Sequence, residues 1–306
     1  MTRERKYSND RSRVFQQRPD TFDAIAASAD ELRRFGIPPR PDARTSPKLY
    51  ELWEKAFSKR PRLVEPEYLE GLEVPRRQQL PTHPGVTTFS RVTAPFWCGS
   101  GYTRPPSGLF TYVGALWVVP SATAADANHG LLSWVGIDGW GTNAVLQIGT
   151  WHRLAGDPPA LTVYGWCEWF PAPSVVVSNF PVSPGDALAA FISATSATEG
   201  LVTLHNFNTN VHFSQALTPP AGDQFEGKTA EWIVEKPGGT TPIANFGETA
   251  MVLAAATYSD AIGGAKLGEV SAKEAIMIDM ANAQKQTLAA AQPNATGVTM
   301  TYFKDQ

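Results

Sequence analysis

The stretch Ala230-Glu231-Trp232-Ile233-Val234-Glu235 reads as a β-strand. Trp232 and Val234, apolar and β-prone, fall on one face, while Glu231 and Glu235 fall on the other and flank Ile233. Two carboxylates on one strand face cost a sheet unless they meet solvent or do chemistry. A solvated face would explain this segment if it stood alone, but it has company. From Val86 onward the chain is a succession of short β-prone runs punctuated by Gly, Pro, Asn and Ser. They include Leu109–Val119, Leu131–Ile137, Leu161–Phe170, Val175–Phe180, Ala187–Ala194, Leu201–Phe207 and Val211–Leu217. Short strands with turns this frequent predict an all-β fold, an antiparallel sandwich or barrel.

Several runs carry one polar residue amid apolar neighbours. These are Trp134-Val135-Gly136-Ile137-Asp138-Gly139, Ala144-Val145-Leu146-Gln147-Ile148-Gly149 and Tyr164-Gly165-Trp166-Cys167-Glu168-Trp169-Phe170-Pro171, with Trp97-Cys98-Gly99-Ser100 upstream. Strand parity puts Gln147 on a face with Val145 and Gly149, Glu168 with Trp166 and Phe170, and Asp138 with Trp134 and Gly136. If these faces line one cleft, Asp138, Gln147, Glu168 and Glu235 converge beside Trp97.

In this order and spacing the blocks resemble the signature of the glutamic peptidases, the eqolisin family. The resemblance runs from about Phe96 to the closing Thr299-Met300-Thr301-Tyr302-Phe303. It implies a two-sheet, antiparallel, concanavalin-like β-sandwich whose concave face holds the active site. It also implies strands across Ser271–Gln292, where Ala, Lys, Met and Gln favour helix by propensity.

The implied activity is that of an endopeptidase working in acid, with a protein or peptide substrate and neither metal nor cofactor. Such hydrolysis needs a base for water, an acid for the leaving amine and a donor for the oxyanion. One carboxylate can be base and then acid, contributing about 10²–10⁴-fold. A preorganised amide N–H at the oxyanion contributes about 3–4 kcal/mol. By motif, Glu235 matches the general base and acid, and Gln147 the oxyanion donor. Trp97, Trp134, Asp138, Glu168 and Glu231 match or adjoin positions that shape and tune the cleft. Parity alone does not separate Glu231 from Glu235, and Asp138 could equally be a turn former. The alternative function is a non-catalytic carbohydrate- or peptide-binding sandwich, because aromatic residues beside carboxylates also suit sugars.

The chain departs from the family pattern twice. Trp151 stands where an acidic residue is usual, and Cys167 replaces an aromatic beside Glu168. Both departures predict altered substrate preference or pH profile before loss of activity. The five histidines, His83, His129, His152, His205 and His212, show no metal spacing, and His205 and His212 read as solvent or edge residues. Cys98 and Cys167 face away from the cleft by parity and read as two buried free thiols, with a disulfide as the alternative if their strands adjoin.

A basic head precedes an acidic body. Residues 1–80 carry 17 Lys/Arg against 13 Asp/Glu, and the remainder 9 against 16, for a net charge of −3. Neither this balance nor any motif predicts a nucleic-acid partner. No apolar run long enough to span a membrane is present, and the N-terminus lacks the apolar core of a secretory signal. As written the chain reads as cytoplasmic, whereas the family it resembles is typically exported.

Residues 1–82 read as an N-terminal extension to a domain over 83–306. A helix is expected from Thr21, as N-cap, to Arg34, and a second from Ser46-Pro47 to about Ser58. The second presents Leu49, Leu52, Trp53 and Phe57 on one face. The expectation is that this head docks near or across the cleft as a propeptide-like guard. Gly222-Asp223-Gln224-Phe225-Glu226-Gly227-Lys228-Thr229 matches a phosphate-loop pattern letter for letter. The following Ala230–Glu235 is a strand, not the helix a phosphate loop requires, so a hairpin loop is expected instead.

Overall fold

The computed structural model describes residues 15–69, 71–72, 74, 90–238 and 241–304. Two helices come first, α1 (Ala29–Arg34) and α2 (Pro47–Phe57). The strands are β1 (Arg62–Leu63), β2 (Arg91–Ala94), β3 (Trp97–Tyr102), β4 (Leu109–Val118), β5 (Gly130–Asp138), β6 (Val145–Ala155), β7 (Ala160–Phe170) and β8 (Val175–Val177). After them come β9 (Ala187–Ser196), β10 (Glu199–Asn206), β11 (Val211–Leu217), β12 (Ala230–Glu235), β13 (Glu248–Ser259), β14 (Lys266–Ser271), β15 (Ile276–Ala281), β16 (Thr287–Pro293) and β17 (Val298–Tyr302). The Ala- and Met-rich segment 271–292 is therefore mostly strand, as expected, because its alternate residues Ile276, Ile278 and Met280 are buried against neighbours.

The hydrogen-bonded network folds over into two layers. One runs β8-β7-β6-β5-β12-β3-β15, and the other β1-β11-β10-β9-β4-β13. Strands β16 and β17 link them by pairing β15 to β13. Pairing is antiparallel except for β1 with β11 and β2 with β15. The core between the layers takes one residue in two from each strand. Val135, Ile137, Leu146, Ile148, Trp232 and Val234 come from the first layer, and Val113, Ala115, Trp117, Ala190, Ile192 and Leu204 from the second. The sandwich expectation holds, and the parity of Ala230–Glu235 holds with it.

The first helix is shorter than expected. Residues 21–27 form turns, and α1 begins after Ser28, whose hydroxyl accepts from Glu31 N while the Glu31 carboxylate accepts from Ser28 N. The pair is a capping box, and it outcompetes Thr21 because its carboxylate closes the loop of hydrogen bonds. Helix α2 buries Leu49, Leu52, Trp53 and Phe57 completely or nearly so. Its partners are Tyr112, Ala189, Phe191 and Ala255, on the outer face of the second layer. The apolar face of α2 thus docks on the side of the sandwich away from the Glu231/Glu235 face. Glu269 of β14 accepts from Lys48 N and Leu49 N, capping the helix that Ser46 leaves uncapped.

That docking corrects the reading of two histidines. His205 and His212 are directly opposed on β10 and β11 and are 1% and 0% exposed. Phe57 of α2 packs on both rings, with centroids 6.0 and 5.6 Å away. They looked exposed only because a helix some 150 residues earlier in the chain covers them.

The phosphate-loop look-alike joins β11 of one layer to β12 of the other, so it is a crossover and not a hairpin. Its backbone N–H groups at Glu226, Gly227 and Lys228 do hold an anion, the carboxylate of Asp138, at 3.0, 3.0 and 2.8 Å. Cys98 and Cys167 are buried free thiols. Their strands β3 and β7 are separated by β12, β5 and β6, which removes the disulfide alternative.

Candidate active site

The open face of the first layer is apolar and aromatic. Trp97, Leu132, Trp134, Trp140, Trp151, Trp166 and Ile233 form a cluster on it, with Trp97 and Trp134 edge to face at 5.1 Å. Glu231 and Glu235 of β12 rise from this same face, because they alternate with the core residues Trp232 and Val234. Both carboxyls are 0% exposed. Burying a carboxylate is costly without compensation, and the two are compensated differently. Glu235 Oε2 accepts from Trp134 Nε1 at 2.7 Å. Neither Glu231 oxygen has a hydrogen bond of normal geometry; burial pushes its carboxyl well above the usual range, opposed by a side-chain interaction with the Thr229 hydroxyl and reinforced by the nearby Asp138 charge.

Gln147 (1% exposed) and Glu168 are opposed on β6 and β7, and Gln147 Nε2 donates to Glu168 Oε2 at 2.6 Å. The register continues across the sheet, with Gln147 opposite Gly136 and Gly136 opposite Glu231. Glu231, Gln147 and Glu168 therefore lie on one row, while Glu235 lies four residues further along β12, opposite Trp97 and Leu132. The structure separates the two glutamates that parity could not.

Asp138 does not share their setting. Its backbone takes φ +68° at the end of β5, which turns the side chain into the loop at 226–228. Burial raises its pKa, opposed by the three N–H bonds. In this geometry it anchors the loop at 226–228, and its charge acts on Glu231.

Three features had weak sequence signals or none. Trp166 joins the cluster by the same parity as Glu168 and was recoverable from it. Trp140 packs against the space above Gly101, from a loop whose position is not periodic. Leu69, Leu72 and Val74, from the N-terminal extension, pack on the aromatic face. There Leu69 N donates to Val176 O, Ser178 N to Glu67 O and Val74 N to Ser174 Oγ, so the segment runs along the edge strand β8. Among the described residues no group of three His, Cys, Asp or Glu could hold a metal ion, and no helix is long and apolar enough to cross a membrane.

Residues 95–302 match the Peptidase A4 family model. Scytalidopepsin B of Scytalidium lignicola is 35% identical over 128 residues, covering 41% of this chain and 46% of that protein. Aspergillopepsin-2 of Aspergillus niger is 29% identical over 178 residues, covering 56% and 58%. The matches thus span about half the length of these relatives. The crystal structure of scytalido-glutamic peptidase with a transition state analog inhibitor aligns over 71% of this chain and 100% of that one. Its TM-score is 0.56 at 25% identity. The eqolisin SCP-B in complex with the tripeptide Ala-Ile-His shares the fold, with a TM-score of 0.55 at 24% identity. Since the family match covers most of the chain and every strand from β3 to β17, this protein belongs to the Peptidase A4 family.

Proposed function

We propose that this protein is an acid-acting glutamic endopeptidase in which Glu235 is the general base and acid and Gln147 the oxyanion donor. The observation that carries the reading is that both side chains rise from one aromatic sheet face, each held by a dedicated partner, Trp134 and Glu168. Glu235 takes a proton from water, the hydroxide oxygen bonds to the scissile carbonyl carbon, and the carbonyl oxygen becomes an oxyanion. An amide nitrogen has two N–H groups. One of Gln147's serves Glu168, which leaves the other for that oxyanion. Glu235 then delivers its proton to the nitrogen as the C–N bond breaks. A peptide ligand is supported by relatives crystallised with a transition state analog and with a tripeptide.

Leu69, Leu72 and Val74, part of the extension 1–82, are the proposed guard. Glu231, Glu235, Gln147, Trp134 and Trp166 are all sealed from solvent, and Leu69, Leu72 and Val74 are part of the seal. A substrate strand could enter only after they leave. The test is casein digestion at acid pH in the presence of pepstatin and of EDTA, with Glu235→Gln and Gln147→Ala beside the wild type. Lysis insensitive to both inhibitors and lost by about 10²-fold or more in each folded variant supports the reading. Near-normal turnover in either variant removes that residue from its role. Leu69→Asp with Leu72→Asp should raise activity at pH 6–7, and unchanged activity would rule out the guard.

A further inference from the structure

Gly136 sits between Glu231 and Gln147 in the cross-strand register. A Cβ built on it would lie 3.3 Å from Glu231 Oε2 and 2.7 Å from Trp134 Cζ3. The Glu231 carboxyl and the Trp134 ring thus lie over the glycine that separates Glu231 from Gln147 in the register. At the far side Gln147 Oε1 is buried and has no hydrogen-bond partner. Glu168 takes the Nε2 end of the amide, since a carboxylate oxygen accepts, and so leaves Oε1 pointing away from it. A buried acceptor without a partner and a buried carboxyl whose one hydrogen-bonding neighbour is the Thr229 hydroxyl lie on one row, separated by a glycine under the edge of the Trp134 ring, and make a matched pair.

We propose that Glu231 is a positioning residue whose carboxyl O–H donates to Gln147 Oε1 across Gly136, directly or through one water, and so orients and polarises the oxyanion donor. The arrangement needs a carboxyl that keeps its proton, which burial and the Asp138 charge favour over the opposing Thr229 hydrogen bond. A donor at Oε1 strengthens the N–H groups at the other end of the same amide, because linked hydrogen bonds polarise one another. The inference rests on Gln147 being the oxyanion donor, the reading proposed above.

The experiment measures kcat, KM and the pH profile of Glu231→Leu, Glu231→Gln and Gly136→Ala, each checked for folding by thermal melting, with Gln147→Ala alongside. Glu231→Leu removes the donor and should lower kcat by about tenfold or more with KM little changed. Glu231→Gln restores an N–H donor of similar shape and should recover most of that loss. It should also abolish any decline of activity caused by Glu231 losing its proton. Gly136→Ala meets the Trp134 ring as well as the carboxyl and should lower kcat at least as far as Glu231→Leu. Wild-type kcat in Glu231→Leu overturns the proposal, as does a Glu231→Gln no better than Glu231→Leu. Turnover retained in Gln147→Ala instead overturns the prior assignment of Gln147, whatever the Glu231 variants do.

Discussion

Trp134 and Glu235, on the paired strands β5 and β12, are joined by a 2.7 Å bond from the indole Nε1 to carboxylate Oε2. Hydrogen bonds to a charged group contribute roughly 1.5–3 kcal/mol. Trp134→Phe keeps the ring that packs on Trp97 and loses the donor, so kcat/KM should fall about 10–100-fold with the fold intact. Wild-type kinetics in this variant would show that the bond is not used in catalysis.

Glu231 makes stability fall as pH rises. Its folded-state pKa lies well above 4.5, so the folded protein holds a proton that the unfolded chain releases above that value. The associated stability is complete below about 4.5 and lost as pH climbs towards the folded value. Melting temperatures of wild type and Glu231→Gln should therefore diverge between pH 4 and pH 7, with the variant gaining. A gap independent of pH would contradict the buried, protonated state.

His205 and His212 act in the opposite sense on the docked head. Burial lowers His205 to about 3 and His212 well below 6.5, with the Arg18 guanidinium adding to both. The other groups acting on them are the backbone at Val211 and Arg62, the His205 charge on His212, and the aromatic rings of Phe57 and Phe207. Once uncovered, each ring binds a proton below 6.5, so docking weakens as pH falls from 6.5 towards 3. Amide exchange across α1, α2 and β1 should quicken on acidification, and substituting both histidines by Phe should flatten the response. Exchange that does not change with pH would sink the idea.

Asp138→Ala leaves three backbone N–H groups at 226–228 without their acceptor. Losing bonds to a buried carboxylate should cost roughly 3 kcal/mol, visible as a lowered melting temperature and faster proteolysis of the loop at 221–229. An unshifted melt would mean that water replaces the carboxylate without penalty.

Cys98 and Cys167 should stay silent in the native protein and give two thiols on denaturation without reductant. Burial raises both thiols far above their usual pKa, which leaves little thiolate to react. Fewer than two thiols would indicate an oxidised form.

Period-two alternation is a local property, and it was legible. The strand faces of Glu231, Glu235, Gln147 and Glu168 follow from side chains pointing alternately to either side, whatever the strands pair with. The core residues Trp232, Val234, Leu146 and Ile148 follow from the same rule. Helix α2 is readable from Ser46-Pro47 and its apolar stripe, whereas α1 starts at the Ser28 and Glu31 capping box and not at Thr21.

What lay beyond the sequence depends on which distant segments meet. Alternation says that a residue faces up or down, but carries no information about what lies above it. Only the folded chain covers His205 and His212 with α2, lays Leu69 and Leu72 over the aromatic face, and turns Asp138 through a left-handed backbone into a loop almost ninety residues away. Only the register of β12 on β5 and β6 puts Glu231 on the row of Gln147, with Gly136 between them, and Glu235 beside Trp134. Local chain geometry assigns faces. Long-range pairing, which follows from burying all those faces at once, assigns neighbours, and it is the neighbours that distinguish one carboxyl from the next.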